Sequence, residues 1–254
     1  MPSGSASASS HITSLRRAYQ EVGRRTWLAP DFLGSNLETS RALYTPESLV
    51  ARRPRPRELE VFALVSGLPF HGEFAAKLVG VQAQISAVLG ERLHYWVEPA
   101  NFGVEYCVFK WPADPWKQER LGVIRDVLAS TSRPAFRLDI GGVQINPDGC
   151  VVALGFDEES RLFGIRDHIR TKVQFLPKRQ SAWAHVPLGR ILEPVGSETF
   201  AKLAELQSTL ENQPIASTEV CSMKLVHETR WYMEERTILN EYPLRRAPRR
   251  PSAP

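Results

Sequence analysis

AWAHVPLGRI, residues 182–191, places one histidine inside a stretch that reads as a buried β-strand and follows it with a proline. Trp183 and His185 lie two positions apart and so share one strand face. Pro187 continues that face but offers neither a hydroxyl nor a backbone N–H. What His185 can do therefore depends on the strands and helices that surround it.

Outward from this strand, the pattern alternates. ELEVFALVSGL (58–68) has the β-branched and aromatic content of a strand. FHGEFAAKLVGVQAQISAVLGE (70–91) repeats apolar residues at three- and four-residue spacing, from Phe74 to Leu89, which predicts a helix against a sheet. RLHYWVEP (92–99) and FGVEYCVFKW (102–111) are the next strands, joined by a Pro-Ala-Asn turn, and WKQERLGVIRDVLAST (116–131) is a second amphipathic helix. A hairpin over 136–157 turns at Asn-Pro-Asp-Gly. A helix (160–173), the 182–192 strand and a helix opening on a capping-box-like Ser-Glu-Thr (197–212) follow. VCSMKLVHETRW and YMEERTILNEYPL supply two closing strands. The expected fold class is α+β: two pseudo-symmetric halves, each an antiparallel sheet with outer helices, around a concave central cleft.

The flanks read differently. Residues 1–13 are rich in Ser, Ala and Gly and predict a disordered leader. Residues 14–57 predict a short polar helix and then an irregular arm with Pro30, Pro46, Pro54 and Pro56. The core is expected over 58–244, and 245–254 is a basic Pro/Arg tail. The 254 residues carry a net charge of +4, concentrated in RRPRPR (52–57) and LRRAPRR (244–250). Such clusters could touch RNA phosphates, but without interleaved aromatics they read first as a solvated linker and tail. No run approaches eighteen apolar residues, so no membrane span is expected. Cys107, Cys150 and Cys221 stand in no metal or redox motif, which predicts free thiols in a reducing, cytoplasmic setting with no metal and no cofactor.

In order and spacing, three segments resemble the two-histidine phosphoesterase superfamily, which includes 2′,3′-cyclic phosphodiesterases and the so-called 2′-5′ RNA ligases. They are WVEPANFGVEYCVF (96–109), FLPKRQSAWAHVPLGRI (175–191) and SMKLVHETRWYMEERTILNEYPL (222–244). The resemblance implies two His-x-Thr/Ser strands facing one phosphate. One histidine takes a proton from the attacking oxygen, the other gives one to the departing ribose oxygen, and the hydroxyls hold phosphate oxygens.

Carried over by position, the pattern survives once. Gly103 stands at the first histidine and Glu105 at its hydroxyl partner; His185 matches the second histidine and Pro187 replaces the second hydroxyl. The resemblance therefore implies an eroded hydrolase that binds a nucleotide or an RNA end with a 2′,3′-cyclic phosphate, as a monomer. Two alternatives stay open. His185 could work with Glu105 or His94 as a rearranged cyclic phosphodiesterase, or the arm and tail could make the chain a protein-interaction scaffold. Arg190, Lys178 and Arg179 are candidates to neutralise phosphate, and Trp183 and Tyr232 to contact a base; solvated charges and core aromatics are their plain alternatives. HIT at 11–13 copies the motif in spelling only, and His168 and His227 read as surface residues.

Overall fold

The computed structural model describes residues 5–29, 34–131, 134–211 and 213–245. The chain begins with α1 (Ser5–Trp27), α2 (Gly34–Arg41) and the short α3 (Pro46–Val50), and then runs β1 (Glu58–Gly67), α4 (Gly72–Leu89), β2 (His94–Trp96) and β3 (Gly103–Lys110). After α5 (Arg120–Ser130) come β4 (Phe136–Ile145), β5 (Cys150–Phe156), α6 (Arg161–Lys172) and β6 (His185–Ile191). The last elements are α7 (Ser197–Leu210), β7 (Ala216–Val220), β8 (Ser222–Arg230) and β9 (Glu235–Pro243).

These strands form two antiparallel sheets, ordered β3-β1-β8-β9 and β2-β6-β5-β4-β7. The expected pair of sheets is present, but the chain interleaves them: β2 and β3, neighbours in sequence, belong to different sheets. Helix α4 follows a strand of the first sheet and packs on the second, where Gln82 donates to the carbonyls of Val97 and Leu188 at 2.9 Å each. Helix α7 opens at Ser197 with Gly196 as its cap residue and no side-chain cap bond, so the expected capping box is not formed.

Register fixes which side chains share a face. In the first sheet, Val65 pairs with both Glu105 and Lys224, Gly67 with Gly103, and Ala63 with Val108 and Val226. Val61, Ala63, Val65, Leu68, Val108 and Val226 there form a separate buried cluster, with Leu59, Trp111 and Met233 packed against it. In the second sheet, Leu154 pairs with His185, Val152 with Pro187 and Cys150 with Arg190. Strand alternation adds Phe156 to that face. These two faces look toward the space between the sheets, while α4 and α7 cover the outer side of the second.

The N-terminal region departs most from expectation. Residues 5–13, expected as leader, continue the helix that was predicted to start at 14. The physical reason is an apolar stripe: Ile12, Leu15, Tyr19, Gly23 and Thr26 recur at three- and four-residue spacing. His11, in the discounted HIT, stacks on Phe163 at 5.4 Å. Tyr19 is 2 % exposed; its hydroxyl donates to the Gly155 carbonyl (3.3 Å) and accepts from the Ala184 N–H (3.1 Å). A Cβ on Gly155 would lie 1.7 Å from the Ala184 carbonyl oxygen, so only glycine allows this approach. Tyr19 and Arg16 also pack on the Phe156 ring, which places α1 over the face that carries His185.

The segment expected as an irregular arm holds α2 and α3 and docks as well. Leu37 packs at Gly149, and Tyr44, fully buried, tilts against Tyr95 at 5.2 Å. Arg57 of the arginine-proline cluster donates to the Tyr44 carbonyl at 2.8 Å, and Arg52 pairs with Glu193 at 3.1 Å. The buried Leu37 and Tyr44 side chains each contribute about 1.5–3 kcal/mol of hydrophobic stabilisation. The tail beyond Arg245 lies outside the described residues.

Candidate functional site

Gly103 and Glu105 lie on β3, at the edge of the first sheet, and His185 and Pro187 on β6 of the second. The Gly103 position is closed by packing. A Cβ there would meet Val65 Cγ1 at 2.7 Å, the Ser66 carbonyl oxygen at 3.2 Å and Leu68 Cδ2 at 3.3 Å. A side chain at 103 would have to push Val65 aside and press on the β1 backbone, so the space beside this position is already occupied.

Glu105 is half-buried, and its carboxylate makes no hydrogen bond among the described residues. Burial raises its pKa above the ordinary carboxylate range, while the charges of Arg166 and Arg179 pull it back. Glu228 of β8 is a second carboxylate on this face; burial pushes it up to about 7, opposed by the Met233 N–H bond at 2.9 Å and reinforced by the Glu105 charge.

On β6, the His185 ring is half-buried, with Nδ1 buried and without a hydrogen-bond partner among the described residues. Burial, followed by the charge of Arg166, pushes its pKa down to about 4, so the ring is neutral at physiological pH. Pro187 pairs with Val152 in the ladder and supplies no polar atom to the cleft.

Arg166, on α6, joins the two motif strands. Its Nε donates to the Tyr106 carbonyl at 2.8 Å, and Nη2 donates to the carbonyls of Glu105 and Trp183 at 2.6 Å each. The residue is 2 % exposed, and Nη1 is buried without a partner among the described residues. Burial lowers its pKa to about 10, which still leaves it charged. Sequence reasoning missed this residue. Its signal was an arginine four positions after Leu162 and three before Ile169, on the apolar stripe of the helix.

The other candidates have fates of their own. His94 is not brought to His185: Nδ1 contacts the Arg92 carbonyl at 2.6 Å and Nε2 lies 3.4 Å from Ser86 Oγ of α4, on the outer side of the second sheet. Arg190 and Tyr232 do meet, but each occupies the other. Arg190 Nε donates to the Tyr232 hydroxyl and Nη1 to Asp148 at 2.8 Å and to Ser40. Trp183 is edge-on to Tyr19 (5.1 Å) and to His185 (5.7 Å). Arg179 stacks 4.6 Å from the Trp111 ring and lines, with Lys178, Arg120 and Phe175, an open groove of about 490 Å³. Gln180 fastens this loop to the β3 edge through the Val108 N–H (3.0 Å) and carbonyl (2.8 Å). His168 and His227 are half-buried rather than surface residues, and His227 stacks on Phe62 at 4.5 Å. Among the described residues no group of His, Cys, Asp and Glu has the makings of a metal site, and no helix is long and apolar enough to cross a membrane.

No family model and no curated protein matches the chain. Solved structures do. TT0787 of Thermus thermophilus is similar at 15 % identity over 73 % of this chain and 98 % of its own, with a TM-score of 0.54. E. coli LigT in apo form is similar at 12 % identity over 74 % of this chain and 99 % of its own, with a TM-score of 0.52. LigT complexed with 3′-AMP gives 14 % identity over 74 % and 98 %, and a TM-score of 0.50. The fold expected from the likeness to two-histidine phosphoesterases is therefore the fold found. Nearly the whole of each neighbour maps onto about three quarters of this chain.

Proposed function

We propose that this protein binds a nucleotide or an RNA end in the cleft between its sheets and has given up efficient hydrolysis of it. The observation that carries this reading is the filled space at Gly103. Hydrolysis by this fold's two-histidine chemistry needs a proton acceptor and a proton donor on opposite sides of the phosphate, and the first has no room to exist. Loss of one such group removes about 10²–10⁴ in rate. Pro187 takes away a hydroxyl on the second strand as well. Binding is supported by the polar side chains that stay partly exposed on the two strands, the neutral His185 ring and Glu105, on backbone that the buried Arg166 ties together. LigT, which shares the fold, has been crystallised with 3′-AMP, with phosphate and with ATP.

The test is hydrolysis and calorimetric binding of 2′,3′-cyclic nucleotides and cyclic-phosphate-ended RNA, with wild type beside His185→Ala. Background turnover with measurable binding, weakened severalfold in the variant, is the expected result. Turnover that His185→Ala abolishes would overturn the proposal and cast Glu105 as the replacement base. Neither turnover nor binding would also overturn it and would turn the search to protein partners.

A further inference from the structure

We propose that an open groove at the C-terminal end of β3, lined by neither Glu105 nor His185, binds the sugar-phosphate backbone of single-stranded RNA. The groove rests on the nucleotide-binding reading above for its class of ligand and adds a place for the strand behind the RNA end.

The groove, about 490 Å³, lies between the end of β3 and the loop that leads into β6. Trp111 and Phe175 stand in its walls with Arg120, Lys178 and Arg179. The loop is fastened at both sides of Arg179. Trp111 Nε1 donates to the Arg179 carbonyl at 3.0 Å, and Gln180 holds the Val108 N–H and carbonyl. Lys178 and Arg179 are exposed. A second depression of about 350 Å³ shares Pro177 and Lys178 with the first and carries the line on to Arg170. Phe109, in the groove wall, follows Glu105 by four residues, which is about 13 Å along β3. A strand whose end lies at the motif position therefore reaches the groove within a few nucleotides.

The positive charge here is unspent. None of Arg120, Lys178 and Arg179 is in an ion pair among the described residues. Asp114, the acidic residue of the lining, accepts from the Trp111 N–H at 2.9 Å. Rings hold the two arginines in place: Arg179 lies 4.6 Å from the Trp111 centroid, and Arg120 lies 4.9 Å from Phe175 and 5.9 Å from Trp116. Arg120 spends Nη1 on the Pro115 carbonyl at 2.9 Å. A guanidinium already stacked on a ring loses little further freedom when its N–H edge meets an oxygen, and its fork matches two phosphate oxygens.

Cations in a row without carboxylate partners complement a polyanion, and the rings between them choose which. The interleaving of cations with aromatics that the arginine-proline clusters lack in sequence is assembled here in space. A single strand lays unstacked bases on ring or guanidinium faces while its phosphates meet the cations. A duplex keeps its bases stacked inside, and an acidic peptide would use the cations and leave the rings idle. Such a groove reads no base edge, so binding is expected to be indifferent to sequence and sensitive to salt.

The experiment is fluorescence anisotropy of a labelled single-stranded RNA of about twelve nucleotides on the full chain across a salt series. Wild type is compared with Arg120→Gln/Lys178→Gln/Arg179→Gln, and a 2′,3′-cyclic mononucleotide is titrated calorimetrically into both. The variant is expected to bind RNA at least about tenfold more weakly, with a slope of log affinity against log salt shallower by about 2, at roughly 0.7 per phosphate contact. Its mononucleotide affinity is expected to stay within about twofold, as separate sites respond independently. Should the triple variant fail to fold, Lys178→Gln, at an exposed position, carries the test through a slope shallower by about 0.7. Unchanged RNA affinity and slope in a folded variant would overturn the groove and leave the cleft reading standing. Equal loss of RNA and mononucleotide would overturn it too, because the three cations would then serve the cleft. Displacement of the RNA by oligoglutamate of equal charge would overturn it in favour of an acidic peptide. No RNA binding with mononucleotide binding retained would overturn the groove alone, and the absence of both would overturn the two readings together.

Discussion

The two concave faces of this molecule are closed by different means. The first sheet closes its face with side-chain volume: Val61, Ala63, Val65, Val108 and Val226 fill it, and the partly buried Met233 and Trp111 lean on it. The second sheet closes its face with extra chain, as α1 lies across Leu154 and Phe156, and α2 reaches Arg190 and Gly149. Positions 103 and 187 differ correspondingly. At 103 the neighbouring strand leaves no room for a Cβ, whereas at 187 a proline sits in an otherwise ordinary strand pair. One face crowds out a side chain at this position; the other leaves room for one.

The largest effect that could break this contrast lies in α1. If the helix is part of the second sheet's core, Tyr19→Ala costs about 3–5 kcal/mol of stability, as large-to-small changes at full burial do. Tyr19→Phe keeps the ring but leaves the Gly155 carbonyl and the Ala184 N–H without their shared partner, at about 1–3 kcal/mol. Urea unfolding monitored by far-UV circular dichroism reads both. A loss below about 1 kcal/mol for Tyr19→Ala would mean that α1 rests on the face without holding it.

How far all this was legible in sequence follows the same division. The periodic core elements came through, because alternation and three-to-four spacing are written by burial: β1, α4, β3, the 136–156 hairpin and α5 to α7 lie within a few residues of expectation. β7 was missed, since Ala-Ser-Thr-Glu-Val is short and only its ends are buried. The partner of β2 was not legible, because the 3-10 turn at Pro99–Asn101 sends the next strand to the other sheet although the two are neighbours in sequence. The arm was misread because its prolines and serines hide two buried side chains, Leu37 and Tyr44. At the site, Glu105 and His185 were identifiable by strand position. Arg166 was not, because a buried arginine on a helix has no meaning until the carbonyls that it meets are known.

The two faces should also respond to pH with opposite sign. Glu228 on the first sheet has its pKa raised to about 7 from 4.5, so the folded state holds a proton that the unfolded chain releases. Its contribution is fully present below about pH 4.5 and is lost as pH rises toward 7, by about 2–4 kcal/mol at roughly 1.4 kcal/mol per pH unit. His185 on the second sheet is shifted down to about 4 from 6.5, so its contribution is present above 6.5 and is lost as pH falls toward 4. The two windows overlap and their slopes oppose, so in stability measured from pH 4 to 8 the contributions largely offset each other between pH 4.5 and 6.5 in wild type. Glu228→Gln should expose a decline as pH falls, and His185→Asn a decline as pH rises toward 7. Slopes that respond to the wrong variant would show that the faces titrate as one unit.

The smallest expected effect concerns the outer side of the second sheet, where His94 serves as a control for His185. The two histidines share a sheet but not a face: His94 pairs with Ile191 across β2 and β6 and turns to Ser86 of α4, whereas His185 pairs with Leu154 and turns to the cleft. Its bonds to the Arg92 carbonyl and to Ser86 Oγ are peripheral, so His94→Asn should cost no more than about 1 kcal/mol. Nucleotide affinity should not change, by the same titration that finds His185→Ala weakened. A His94→Asn protein that bound as poorly as His185→Ala would make α4 part of the binding apparatus, and ligand affinity would then depend on the outer layer as much as on the concave faces. Unchanged affinity leaves β6 as the division: one surface of this sheet holds the fold, and the other meets the ligand.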